Sequence, residues 1–139
     1  MKKRAVTKHT ANIFHTAKSN MRVRGDMGEH IARRYIQAAG FVIVANNFCV
    51  QGAEVDIIAR APDGCLVFFE VKLRAREPVD HAAVLPRAKL ARMQKAARAF
   101  LTQHQCGGAM RFDLLLLIPN EAARTMCVIW HKNVGLTGW

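Results

Sequence analysis

Acidic side chains are scarce in this chain, which has 10 Asp and Glu against 21 Lys and Arg and a formal net charge of +11 at pH 7. This excess favours a polyanionic partner such as nucleic acid, although many basic proteins bind nothing specific. Four of the ten acids fall within residues 51–74, and three of these, Glu54, Asp56 and Glu70, flank a turn that holds the fourth, Asp63. Their grouping in so basic a chain marks this stretch as a candidate site.

Long apolar runs and paired cysteines are also missing. No hydrophobic stretch reaches the about 18 residues of a membrane-spanning helix, and no apolar core of a secretory signal follows the basic N-terminus. The histidines are scattered and no Cys-x-x-Cys pair is present, which argues against a zinc site. We therefore expect a cytoplasmic protein without membrane association, with its four cysteines buried and reduced. These cysteines are Cys49, Cys65, Cys106 and Cys127.

The stretch that holds the three acids reads as two β-strands joined by a turn. Its turn is Pro-Asp-Gly at residues 62–64, because Pro fixes φ, Asp bonds nearby backbone and Gly tolerates positive φ. Side chains alternate along a strand, so Glu54 and Asp56 share one side of the first strand. By the same alternation Glu70 and Lys72 share one face of the second strand.

The second strand is apolar on both faces apart from this pair of charges. Such a strand normally lies inside a covered sheet, where an unpaired charge is costly to bury. The ordinary interpretation of Glu70 and Lys72 is an exposed salt bridge, which contributes little to stability. Their apolar surroundings and the acids of the neighbouring strand favour a functional site instead.

The remaining sequence predicts one α/β domain, residues 25–139, in the order α-β-β-β-α-β-β. Propensity alone does not distinguish this order from that of other α/β folds. Apolar residues at helical spacing indicate a first helix between Asp26, as its N-cap, and Gly40. A second helix begins near Pro86. The strands outside the hairpin are predicted at residues 41–48, 110–118 and 125–130.

The segment before this domain, residues 1–24, holds much of the positive charge. Its basic side chains are Lys2, Lys3, Arg4, Lys8, Lys18, Arg22 and Arg24, and it contains no acid. Its sparse apolar residues form no helical stripe, so we expect disorder or a short induced helix. Two roles stay open for it: a solvated extension without a task, or a non-specific phosphate-binding segment.

The pattern of Asp56 followed by Glu70-Val71-Lys72 resembles the motif of the PD-(D/E)xK nuclease superfamily, which includes restriction enzymes and archaeal Holliday-junction resolvases. A larger ordered set over residues 25–131 is similar to the YraN-type family of small bacterial proteins, presumed nuclease-like from the same motif. Ala53 departs from that family, which tends to have glycine there. The set consists of Gly28-Glu29, residues 52–58, residues 67–74, Lys89 and Arg111-Phe112-Asp113.

The resemblance implies a metal-dependent endonuclease with a restriction-endonuclease-like core, in which helices flank a central mixed β-sheet of four to five strands. Asp56 and Glu70 would hold one Mg²⁺ or Mn²⁺, ions that prefer hard carboxylate oxygens. Glu29 would add a carboxylate from the first helix, although it could equally form a capping box with Asp26. Lys72 would orient or deprotonate the attacking water.

The expected substrate is DNA rather than RNA, in branched or otherwise structured form, and a homodimer is one arrangement that would cut two strands. Arg74, Lys89 and Arg92 are candidate contacts to the nucleic-acid backbone, with a solvated basic face as the alternative. Asp113 is left out of the site, because pairing with Arg111 across the sheet is a simpler role for it. Two other functions stay open: a non-catalytic nucleic-acid-binding module with the same fold, and an adaptor for an acidic protein.

Overall fold

The computed structural model of the chain describes residues 6–12 and 21–135. These residues form a six-stranded mixed sheet in the order β1-β6-β5-β4-β3-β2, with two α-helices. The elements are β1 (Val6–Asn12), α1 (Met21–Ala38), β2 (Val42–Val50), β3 (Ala53–Arg60), β4 (Leu66–Leu73), α2 (Arg87–Gln103), β5 (Met110–Asn120) and β6 (Thr125–His131), with a 3₁₀ turn at Ala82–Val84 before α2.

The sheet is mixed because only one of its neighbouring pairs is parallel. β4 and β5 run parallel, and α2 makes the crossover that a parallel pair requires. The other four pairs are antiparallel. The predicted α/β class and mixed sheet are confirmed, but the described sheet has six strands rather than four to five.

The additional strand is β1, which belongs to the segment predicted to be disordered. That prediction is wrong for residues 6–12, because they pair with β6 along their whole length. Backbone pairing rather than side-chain burial holds β1, most of which is exposed. Lys8 adds an exposed ion pair, its Nζ 2.6 Å from Oε1 of Glu77. Residues 1–5 and 13–20, the rest of the predicted extension before α1, lie outside the described residues.

Each face of the sheet is covered by one helix. Phe68 of β4 packs in a cluster with Met93 and Phe100 of α2. Phe69, the next residue of β4, packs in a second cluster with Ile36 of α1. The two-sided apolar character predicted for β4 is therefore confirmed, and each fully buried aromatic contributes about 2–3 kcal/mol. Glu70 on this strand is buried, so the free-energy cost of its charge depends on the groups that face it.

Helix α1 begins earlier than its sequence signals predict. It starts at Met21, which places Asp26 inside the helix, so the predicted N-cap and its capping box with Glu29 are wrong. Met21, Arg22 and Arg24 are good helix formers, whereas Val23 and Gly25 are not, so propensity alone does not explain the earlier start. The predicted end is confirmed, since Gly40 takes φ +90° just after the helix. Neither described helix is long and apolar enough to cross a bilayer.

The hairpin turn between β3 and β4 forms as predicted. Asp63 Oδ1 accepts the backbone N–H of Cys65 at 3.0 Å, and Gly64 takes φ +88°. All four cysteines are free, but Cys49 is exposed on the edge strand β2. The prediction of buried cysteines is therefore wrong for all four, since Cys65, Cys106 and Cys127 are only half-buried.

Candidate active site

A gap opens between β3 and β4 at the position of Asp56. The register between these strands ends at Ile57 and Phe69, although both strands continue. Asp56 fills the gap, and its Oδ2 accepts the N–H of Val71 at 2.8 Å. Val55 packs in the cluster that contains residues of α2, whereas Ile57 packs in the cluster that contains residues of α1. The sequence predicted both on one side of β3 by strict alternation, and this prediction is wrong here. A carboxylate takes the place of a ladder hydrogen bond, which lets the strands separate.

Glu70 lies on β4 beside this gap and is only 2% exposed. Its Oε1 is 2.8 Å from Nζ of Lys72, two residues along the same face. Its Oε2 accepts no hydrogen bond from any residue that the structure describes. A buried carboxylate oxygen without a donor is costly unless a cation faces it, so Glu70 has one oxygen available to a cation.

Asp56 and Glu70 repel each other across the gap. Burial raises the pKa of Asp56 from its ordinary 3.8 to about 7, and the charge of Glu70 adds to this increase. The charge of Glu29 raises this pKa further, while the Val71 N–H and the Lys89 ammonium oppose the shift. Strongly shifted carboxyl groups are typical of functional sites, and a bound cation would relieve the repulsion.

Lys89 brings a second ammonium group to Glu70. From the first turn of α2, its Nζ lies 3.5 Å from Glu70 Oε2 and 3.6 Å from Glu54 Oε1. The sequence predicted Lys89 as a nucleic-acid contact, but its side chain is only 13% exposed and faces the carboxylates. Glu54, which is 58% exposed, forms the solvent side of this group of charges.

Glu29 reaches the edge of the site from α1. Burial raises its pKa, against a side-chain hydrogen bond with Asn47 and the charge of Arg33. The charge of Glu29 also raises the pKa of Asp56, so Glu29 lies within electrostatic range of Asp56. The structure therefore brings together Asp56, Glu70 and Lys72, with Glu29 at their border.

Asn47 is a residue of this site that the sequence interpretation missed. On β2 it lies between the pairs Asn46–Ile57 and Phe48–Val55, and thus opposite Asp56. Its φ of 50° lies in the left-handed region, which asparagine adopts more readily than most residues other than glycine. The signal for it was two adjacent asparagines in a strand that is otherwise apolar.

The predicted nucleic-acid contacts Arg74 and Arg92 are both exposed. Arg92 lines a shallow cleft with Cys49, Gly52, Glu54 and Lys89, directly beside the carboxylates. Arg74 follows β4, and its Nη1 donates to the carbonyl of Leu73 at 3.0 Å. Arg92 therefore borders the site, whereas the hydrogen bond of Arg74 goes to the adjacent residue Leu73 and not to a residue of the site.

The charge cluster suits a magnesium-like ion better than a softer metal. Within the described residues no three His, Cys, Asp or Glu side chains form a metal-binding group, so the protein offers a carboxylate pair rather than a closed cage. Mg²⁺ commonly binds through one or two carboxylates and keeps several waters. Asp56 and the Glu70 oxygen that accepts no hydrogen bond fit that requirement, and Glu29 is a further carboxylate within electrostatic range of Asp56.

Asp113 has a structural role on β5. It is fully buried, and its Oδ1 accepts Nε–H of Arg111 at 3.0 Å and the N–H of Asn133 at 2.9 Å. Its Oδ2 accepts the indole N–H of Trp130 at 2.9 Å. The predicted pairing with Arg111 is confirmed, but the prediction that it runs across the sheet is wrong, because both residues lie on β5.

Asp113→Ala should lower the free energy of unfolding by about 3–5 kcal/mol, because it leaves a half-buried guanidinium and an indole N–H without their acceptor. Urea denaturation followed by circular dichroism measures this. Glu121→Ala, an exposed carboxylate in the β5–β6 turn, is the matched control and should change stability by less than about 0.5 kcal/mol. Equal stability of the two variants would contradict this role.

Comparison with known proteins gives a consistent family assignment. Residues 28–117 match the family described as Uncharacterised protein family UPF0102. A UPF0102 protein of Burkholderia lata is 41% identical over 98 residues, 68% of each chain. One from Burkholderia pseudomallei is 37% identical over 121 residues, covering 86% of this chain and 80% of that one.

A solved structure is also similar at low level. Pyrococcus furiosus SfsA in complex with Ca²⁺ aligns over 81% of this chain and 64% of its own, with 13% identity and a TM-score of 0.33. This score is too low to show a shared fold.

Proposed function

The chain belongs to the UPF0102 family, and we propose that it is a metal-dependent nuclease. The geometry of its charge cluster suits the hydrolysis of phosphodiester bonds in DNA. Its sheet and helices would then be a restriction-endonuclease-like core, extended by β1 and β6. The substrate would be double-stranded or branched DNA, and Mg²⁺ or Mn²⁺ the cofactor.

One observation carries this proposal: a carboxylate pair and a lysine meet at the gap between two central strands. Asp56 bonds Val71, the residue between Glu70 and Lys72, so the first carboxylate is fixed against the second. Lys72 lies 2.8 Å from Glu70 and is 29% exposed, so it can reach both the carboxylate and a substrate. Burying so many charges has a cost, which a catalytic role would explain.

A divalent cation at Asp56 and Glu70 would supply charge neutralisation at the phosphate and bind the attacking water. Lys72 orients that water and stabilises the negative charge that develops on the phosphate oxygens. An oxygen–phosphorus bond forms, the bond to the leaving sugar oxygen breaks, and that oxygen takes a proton from solvent. The water gives its proton to solvent, or to Lys72 where Lys72 has first released one of its own protons to solvent, and the resulting ammonium then faces the phosphate.

Substrate binding would use the positive charge that surrounds the cluster. Arg92 borders the carboxylates, and further basic residues continue along the exposed side of α2. Such contacts bind phosphates without reading sequence. A second copy of the chain would supply the second cut in a duplex.

Metal-dependent cleavage by the purified full chain tests the proposal directly. We expect Mg²⁺ or Mn²⁺ to support cutting of linear, nicked, flapped or four-way DNA, with EDTA abolishing it. RNA substrates of the same sequences show whether cleavage requires deoxyribose. A preparation that cuts none of these DNAs with either ion, while binding them, would contradict the nuclease proposal.

The alternative function is a non-catalytic nucleic-acid-binding module. The observation in its favour is that Glu70 already faces two ammonium groups, at 2.8 Å and 3.5 Å, so the cluster is partly neutralised by the protein itself. In that case Asp56, Glu70 and Lys72 stabilise the fold, and their substitution changes unfolding but not DNA chemistry.

A further inference from the structure

Lys89 holds a position in this cluster that a surface basic residue would not need. We propose that Lys89 is an internal counter-cation of the metal site, which neutralises the carboxylates while no metal is bound and moves to a DNA phosphate when a divalent cation binds. This inference rests on the proposed nuclease function and assigns Lys89 a phosphate contact that forms only when the metal is bound.

The distances around Lys89 differ from those of a fixed ion pair. Its Nζ lies 3.5 Å from Glu70 Oε2 and 3.6 Å from Glu54 Oε1, whereas charge-assisted hydrogen bonds have lengths of about 2.7–2.9 Å. Lys72 makes such a bond at 2.8 Å to the other oxygen of Glu70. Lys89 thus attracts two carboxylates without a short hydrogen bond to either, an arrangement that is easily released.

The oxygen that Lys89 faces is the one that a metal would need. Glu70 Oε2 is buried and accepts no hydrogen bond within the described residues, so the nearby ammonium supplies its principal compensation. A divalent cation at the same oxygen would meet repulsion from Lys89 at about this distance. Both cations cannot keep these positions, so Lys89 leaves when the metal binds.

A destination for Lys89 lies in the adjacent cleft. Lys89 and Arg92 are three residues apart on one face of α2, and both line this cleft with Cys49, Gly52 and Glu54. No side chain among the described residues caps α2 and no acid lies in its first turn, so the positive end of the helix dipole adds to their charge. A phosphate in the cleft would accept the Lys89 ammonium beside Arg92.

The test compares Lys89→Met with Arg92→Met, since Met keeps the aliphatic stem and each variant loses one positive charge. Without DNA, Lys89→Met should bind Mn²⁺ about tenfold more tightly than wild type, because a competing cation has gone. Arg92→Met should change Mn²⁺ affinity by less than about threefold. Electron paramagnetic resonance of free Mn²⁺ measures both. Mn²⁺ should also raise the melting temperature of Lys89→Met more than that of wild type, and a cooperative melting transition shows that the variant is folded.

DNA binding, measured by anisotropy in a non-cleaving Lys72→Met background, supplies the second readout. Lys89→Met should leave affinity unchanged in EDTA and weaken it about tenfold in Mn²⁺, while Arg92→Met should weaken it in both. The inference about Lys89 is overturned if Lys89→Met binds Mn²⁺ no more tightly than wild type, or if it changes DNA affinity equally in EDTA and in Mn²⁺. The nuclease proposal survives either result as long as wild type cleaves DNA. Absence of both Mn²⁺ binding and cleavage in wild type overturns the two together.

Discussion

Lys72→Met should lower the rate of Mg²⁺-dependent DNA cleavage by about 10³-fold while changing DNA affinity by less than about threefold. The ammonium of Lys72 is held at Glu70, 2.8 Å away, so it contributes at one phosphate rather than along the DNA. Exposed basic residues elsewhere supply most of the binding charge. Single-turnover cleavage and fluorescence anisotropy separate the two quantities.

The control for Lys72→Met is Lys132→Met, which removes the same charge from a lysine that lies over the ring of Trp130. It should cleave as wild type does. Lys72→Arg separates the two roles of the lysine, because a guanidinium keeps the positive charge but cannot act as a base. Cleavage by Lys72→Arg near the wild-type rate would remove the base role. Full cleavage by Lys72→Met would remove Lys72 from the chemistry altogether.

Asp56→Asn should abolish cleavage and yet stabilise the metal-free protein at pH 8. The amide oxygen can still accept the N–H of Val71, as the carboxylate does at 2.8 Å. The variant lacks the charge that burial and Glu70 make unfavourable. It also lacks one anionic ligand, so Mn²⁺ should bind about 100-fold more weakly and add little to its thermal stability.

The pH dependence of unfolding gives the sign of this effect. Asp56 has a pKa of about 7 in the folded chain and an ordinary value of 3.8, so the folded state binds more protons between these values. The free energy of unfolding of the metal-free wild type therefore falls as pH rises through this window, at a slope of up to about 1.4 kcal/mol per pH unit from this group. Asp56→Asn should lack that slope.

Urea denaturation in EDTA at several values between pH 4 and 8 measures both curves. The two proteins should converge near pH 4, where Asp56 is protonated in the folded chain, and separate as the pH rises. Parallel curves would contradict the raised pKa of Asp56. A variant less stable than wild type at pH 8 would show that the carboxylate stabilises the fold.

Most elements of this fold could be predicted because their signals are local. The turn at residues 62–64 follows from the conformational preferences of Pro, Asp and Gly, and Gly40 ends α1 for the same kind of reason. The alternation that placed Glu70 and Lys72 on one face of β4 depends only on the period of a strand. β1 escaped prediction because backbone pairing with β6, a distant part of the chain, creates it.

The sequence by itself determined which charges share a hairpin, since Glu54, Asp56, Glu70 and Lys72 are joined by short lengths of chain. Only the tertiary structure decided how they meet. The separation of β3 from β4 turns Asp56 toward Val71, and the packing of α2 on the sheet brings Lys89 to Glu70. These contacts depend on where strands diverge and on how a helix sits over them. Such distances are set by the packing of side chains from many parts of the chain, which no local pattern specifies.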